Sequence, residues 1–262
     1  MYIGCTSFSF NKDIIAGKRD LKNFLDICKD LQIKGVEFWD EHIEKLGRDN
    51  VSLRELKQEV VNRGLEFITI AVNNHDFTSL DPEIRKNDIN KVISGINIMN
   101  DLNCKILRVL PGDLIALNRD EEKFFPLTVL CFEECLKLAE RKKIVLAIEN
   151  CPKNTDPTVV KRIIEEFSSP FLKACPDIGN IRKDIRYKAF EPLLPFAVHI
   201  QAKTYHFEDD GRETFIDYER VMKMIYNQNY EGCISVEYEG DGDEFEGVTS
   251  SVRLIKRYLR IQ

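Results

Sequence analysis

Two rhythms of apolar residues alternate along the chain. Short runs such as Ile144-Val145-Leu146-Ala147-Ile148 are continuous and carry β-branched members, the pattern of a strand buried on both faces. Between such runs, apolar residues return every three or four positions, which places them on one side of a helix. Leu21, Phe24, Leu25 and Cys28 show this spacing, as do Ile89, Val92, Ile93, Ile96 and Met99. The alternation predicts strands at residues 2–5, 34–38, 65–71, 106–110, 143–149, 171–175, 197–203 and 233–237. Helices are predicted over 20–31, from 52 to 63, and over 81–102, 121–141, 157–167, 188–194 and 217–230, with a last one ending near 259. Ser52 with Glu55 three residues on reads as a capping box, Gly64 as a helix stop, and Asp156-Pro157 as a helix start.

Strand and helix thus alternate eight times over 262 residues, about 33 residues to each pair. Such alternation implies a parallel sheet. Eight units at this length favour one closed (β/α)8 barrel domain spanning residues 1–262 over an open sheet. Neither GxGxxG nor GxxxxGK[ST] occurs, which disfavours the dinucleotide and P-loop alternatives.

Composition narrows the function classes. With 38 Lys+Arg against 44 Asp+Glu the net charge is -6, the wrong sign for a nucleic-acid binder. Of the 8 cysteines, Cys5, Cys104, Cys175 and Cys233 sit in or beside apolar runs, Cys131 and Cys135 stand at helical spacing, and no CxxC pair occurs, so they read as reduced core thiols and not as a disulfide framework. The chain opens on a strand with no basic and apolar leader, and no run of about 18 apolar residues occurs. A cytoplasmic protein with no membrane partner is the expectation.

Chemistry collects at strand ends. The fifth strand closes on Glu149-Asn150, the sixth on Asp177, the seventh carries His199, Gln201 and Lys203 on one face, and the eighth ends at Glu237. In a barrel of parallel strands the carboxyl ends form the active face. Carboxylates crowded there repel unless a cation sits among them. An oxygen-rich set with one nitrogen or amide donor suits Mn²⁺, Mg²⁺ or Co²⁺ better than Zn²⁺. Each residue also has a plainer reading. Glu149 could pair with Lys203 or Arg108 and hold no metal; Asp177 could be a turn aspartate, and His199 a satisfied core histidine. Most of the acidic run 237–244 could be solvated loop. His42 and His75 stand in polar stretches as surface groups or substrate contacts, and His206 reads as surface. Lys203 either holds an anionic group of a substrate or neutralises the acidic cluster.

The order Glu-Asn on strand five, Asp-x-Gly-Asn after strand six, His-x-x-x-Lys on strand seven and Glu-x-Glu-Gly on strand eight resembles the xylose isomerase-like TIM barrels. These are the sugar phosphate isomerases and epimerases, with tagatose epimerase and inosose dehydratase branches. Val36-Glu37-Phe38 with His42, and Arg108 to Gly112, also fit. The resemblance implies a divalent metal held by Glu149, Asp177, Glu237 and a strand-seven residue, and a small carbohydrate as substrate. It also implies that Glu149 and Glu237 move a proton beside a carbonyl, with His42, His75, Arg108, Asn180, His199 and Lys203 about the substrate. The family commonly has His-x-His on strand seven. Here the sequence is His199-Ile200-Gln201, so the ligand is either the weaker Gln201 amide or His199 in its place. Asn180 stands where sugar epimerases often carry histidine. Dehydration on the same site and sugar binding without catalysis are the alternatives. An endonuclease IV-type repair enzyme needs more histidines than the 4 present. A dimer or tetramer is compatible with the resemblance.

Overall fold

The computed structural model describes residues 1–44 and 50–259. Its strands are β1 (Tyr2–Thr6), β2 (Gly35–Trp39), β3 (Glu66–Val72), β4 (Ile106–Val109), β5 (Val145–Glu149), β6 (Leu172–Cys175), β7 (Ile200–Thr204) and β8 (Cys233–Tyr238). All eight fall where the apolar runs put them. The chain divides into two compact units, Met1–Ile68 with His199–Gln262, and Thr69–Val198.

In the first unit β1 lies between β2 and β8, and β7 pairs with β8, every pairing parallel. Its register sets Gln201 beside Ser235 and Lys203 beside Glu237, and sets Thr6 beside Glu37. Behind the strands an aromatic chain runs Phe10, Phe24, Phe38, Phe67, with ring centroids 4.8–5.9 Å apart. Phe24 comes from the helix Leu21–Asp30, whose start is closed by reciprocal bonds between Asp20 and Asn23. Leu21, Phe24, Leu25 and Cys28 are all buried, as their spacing requires.

The second unit carries the later part of β3, from Thr69, and then β4 to β6 in sequential parallel order. Each turn back from helix to strand is short. The helix Glu121–Lys142 ends on Lys143 in the left-handed conformation, and Val145 already pairs with β4. On the carboxyl side of β4, Gly112 has φ +104°, and a Cβ there would lie 2.9 Å from the Thr78 backbone nitrogen. Only glycine lets the two exit loops approach so closely.

Local expectations needed four adjustments. The helix Asn50–Asn62 already includes Ser52, so Ser52 is not its cap. The helix Thr158–Phe167 starts one residue after Pro157, with Asp156 accepting from the Thr158 amide at 2.9 Å. The polar stretch holding His42 is a short helix, Asp40–Glu44. The acidic run is only partly solvated: Asp241 to Asp243 are exposed, whereas Glu244 is buried and accepts from the Lys12 and Asp13 amides. Seven of the eight cysteines are buried and all are free, in keeping with core thiols. No described helix is long and apolar enough to cross a membrane.

Candidate active site

In the Thr69–Val198 unit, β4, β5 and β6 bring Arg108, Glu149 and Asp177 to their carboxyl ends. Glu149 is buried; Arg108 Nη1 forms an ion pair with its Oε2 at 3.1 Å, and its Oε1 accepts from Asn180 Nδ2 at 3.3 Å. The ion pair anticipated as the plainer reading of Glu149 is therefore present. Asp177 is fully buried, and one of its oxygens can lie within 4.8 Å of one from Glu149. Its position is set by Asn150, which donates to the Asp177 carbonyl at 2.9 Å and accepts from its amide at 2.8 Å. Asn150 thus clamps the end of β5 to the turn after β6. Asp177 Oδ1 accepts from the Gly179 amide at 2.8 Å, the turn role expected of it. Two buried carboxylates so close together could hold a metal ion between them.

His75 lies just beyond β3 and is buried. Nε2 lies 3.0 Å from the Leu110 carbonyl and 3.3 Å from the Leu110 amide, and Nδ1 has no hydrogen-bond partner among the described residues. Burial lowers its pKa to about 4 against the opposing pull of that carbonyl. An unfolded histidine titrates near 6.5, so between about pH 6.5 and 4 the unfolded chain binds the extra proton. Stability is therefore complete above that window and falls as pH drops through it, by up to ~3 kcal/mol from this group. Denaturant unfolding from pH 7.5 to 4.5 should show a shallower loss in His75→Asn than in wild type. Equal slopes would mean that His75 is solvated and protonates in the folded protein.

In the other unit, Lys203 and Glu237 stand side by side on β7 and β8. Lys203, 3% exposed, reaches Glu237 at 3.2 Å and Glu239 at 2.8 Å. Of its two expected roles, these contacts fit neutralisation of the acidic cluster. His199, just before β7, and Gln201 both turn to a residue to which the sequence reading gave no role. Glu37 Oε2 accepts from His199 Nε2 at 2.5 Å and from Gln201 Nε2 at 2.7 Å. The signal was available: a lone glutamate inside the apolar run Val36-Glu37-Phe38 must find donors. His42 is buried as well. Asn11 Oδ1 and Ser7 Oγ lie 2.9 Å from its two ring nitrogens, and Ser7 also accepts from the Trp39 amide. This set is self-consistent if Nε2 carries the proton. His42 thus braces the loop after β1, and His206 is exposed.

The model of the xylose isomerase-like TIM barrel family matches residues 25–258. The chain belongs to that family. Among solved structures it is similar to a D-tagatose 3-epimerase-like protein, with 18% identity, 100% of this chain and 98% of the other covered, and a TM-score of 0.79. It is also similar to D-psicose 3-epimerase from Clostridium cellulolyticum, with 14% identity, 99% and 97% covered and a TM-score of 0.75. The probable 3-DHS dehydratase AsbF of Bacillus anthracis gives 15% identity, 98% and 99% covered and a TM-score of 0.73. At such identities the likeness speaks for the fold, a (β/α)8 TIM barrel. Among curated proteins, the alpha subunit of a 3'-dehydrocarminate deglycosidase from Microbacterium sp. is 29% identical over 77 residues. That match spans 28% of this chain and 22% of that protein.

Proposed function

We propose that the chain is a divalent-metal-dependent isomerase or epimerase, moving a proton next to the carbonyl of a small sugar, polyol or sugar acid. The observation that carries this reading is the buried pair Glu149 and Asp177, with oxygens within 4.8 Å at the ends of adjoining strands. Family membership adds that neighbours of this fold include sugar epimerases. The residues fit a metal of the hard, oxygen-seeking kind: Glu149, Asp177 and Glu237 would hold it, with Gln201 as the fourth donor or His199 in its place. The fit is supported by Gln201 Oε1, which is buried and accepts no hydrogen bond among the described residues. Such an ion, when bound, supplies Lewis acidity toward a carbonyl oxygen. In this proposal the two units act together as one domain.

The proton chemistry belongs to the chain. Glu149 takes the proton beside the carbonyl on one side of the substrate carbon, and Glu237 delivers one to the other side. Arg108 and Lys203 compensate the carboxylate charges and, with Asn180, would meet substrate hydroxyl or acid groups. His42 and His199 are held on protein partners and act as supports, and His75 offers Nδ1 from a neutral ring. The substrate is carbohydrate in class, and a homo-oligomer remains part of the proposal.

A second reading has its own support in the fold shared with the probable 3-DHS dehydratase. Abstraction of the same proton followed by loss of a β-hydroxyl would make the chain a lyase. One experiment separates the two. Ketoses, keto-inositols and keto acids are incubated in D₂O with Mn²⁺ and the products read by mass spectrometry and NMR. The isomerase reading predicts an isomer carrying one deuterium at the exchanged carbon. A product lighter by one water would replace it with the lyase reading. Epimerisation without deuterium uptake would contradict a proton transfer open to solvent.

A further inference from the structure

Glu37 sits within β2 and is fully buried, where a carboxylate is costly without donors. A single oxygen, Oε2, receives both of the donors that β7 and its approach supply, His199 Nε2 and Gln201 Nε2. His199 stands just before β7 and Gln201 on it, and both side chains reach the same Glu37 oxygen.

This contact decides which end of the amide is presented. A glutamine amide has two ends of nearly equal shape and opposite character, an oxygen that accepts and an NH₂ that donates. Left to rotate, it would offer its NH₂ as readily as its oxygen, and NH₂ repels a cation. Facing a carboxylate oxygen, the amide must turn its NH₂ inward. Oε1 is then the end left over, and it is buried with no hydrogen bond among the described residues to offset its lost hydration. Nδ1 of His199 likewise has no hydrogen-bond partner among the described residues, and its ring is held by Glu37 through Nε2.

We propose that Glu37 is a positioning residue, which fixes Gln201 so that Oε1 is presented as the neutral oxygen donor to a divalent cation. The inference rests on the metal reading above and adds a residue to it. Outer partners that orient a metal ligand typically change affinity by about 10–100-fold when removed. Glu37 would do for an amide ligand what a carboxylate does for a histidine ligand. It also accounts for glutamine at a position where the resemblance leads one to expect histidine: the amide works there because its ambiguity has been removed.

The test is a double-mutant cycle on Mn²⁺ affinity, measured calorimetrically with wild type, Glu37→Gln, Gln201→Ala and the double variant. Gln201→Ala should weaken Mn²⁺ binding by about 10–100-fold, and Glu37→Gln by a comparable factor although it does not touch the ion. The double variant should be no weaker than Gln201→Ala alone, because Glu37 acts only through the amide. A role in general packing would instead make the two losses multiply, and that result overturns the proposal. Should Glu37→Gln fail to fold, the wild-type protein labelled with ¹⁵N-glutamine replaces it. A Gln201 side-chain NH₂ protected from exchange by Glu37 and broadened by Mn²⁺, but not by Mg²⁺, supports the proposal. A Gln201 signal that exchanges freely or stays sharp with Mn²⁺ overturns it. Absence of any Mn²⁺ binding by wild type overturns the metal reading, and this inference with it; binding with multiplying losses overturns this inference alone.

Discussion

Glu149→Gln should lower turnover by about 10²–10⁴-fold, the usual worth of a positioned proton-transfer group. The substitution keeps the side-chain length and leaves an amide oxygen for Asn180 Nδ2 to meet. What it removes is the negative charge facing Arg108 Nη1 at 3.1 Å, in a place where both side chains are at most 4% exposed. Breaking a buried pair from one side typically costs about 3–5 kcal/mol, because the remaining charge has lost its partner and cannot reach water. The variant should therefore also unfold at lower denaturant. Stability and chemistry can be separated by adding Arg108→Met, which removes the stranded guanidinium while keeping most of its volume. The double variant should regain most of the stability and none of the turnover. Recovery of both would reduce Glu149 to a structural ion-pair partner.

Lys203→Met should produce the other large effect, on stability. The ammonium lies within 3.2 Å of Glu237 and 2.8 Å of Glu239. Replacing it leaves two carboxylates facing each other across an apolar side chain, and a loss of about 3–5 kcal/mol is expected from equilibrium unfolding. Two further observations identify the cause as charge. Adding Glu239→Gln to Lys203→Met should restore part of the loss, since one negative charge fewer is left uncompensated. A divalent cation should restore more, because a ligand present at 100 times its Kd stabilises by about 2.7 kcal/mol. If Lys203→Met unfolds at the wild-type denaturant concentration, the two contacts contribute nothing net and the acidic cluster is compensated by other groups.

The fold was legible because its signal is repetitive. Each buried strand must be apolar on both faces and each helix on one, and these two demands recur often enough to count. Two of the misplaced details were boundary chemistry. Ser52 and Asp156 carry cap-forming side chains, but a serine two residues inside a helix start looks the same in sequence as one at the cap. The site was legible in part. Glu149 and Asp177 could be picked out because a carboxylate at the end of an apolar run has no reason to be there unless something meets it. That Arg108 is the partner, and that Lys203 bridges Glu237 and Glu239, are pairings set by register between strands far apart in sequence. Glu37 stands in a motif that carries the resemblance, and the same argument from buried charge applies to it. Its partners His199 and Gln201 lie more than 160 residues away, and only the folded chain joins them. Glu244 was lost in an acidic run, since charge density reads as solvation and hides a carboxylate that caps two backbone amides.

The most direct measurement is the metal content of the purified protein after mild chelation and reloading with divalent ions, wild type beside Glu149→Ala/Glu237→Ala, by native mass spectrometry. One tightly held divalent ion per chain in wild type and none in the double variant is the predicted result. A folded wild-type protein that holds no ion under any loading condition would contradict it. The carboxylates would then be compensated by Arg108 and Lys203 alone, in a pocket that binds sugar without a metal.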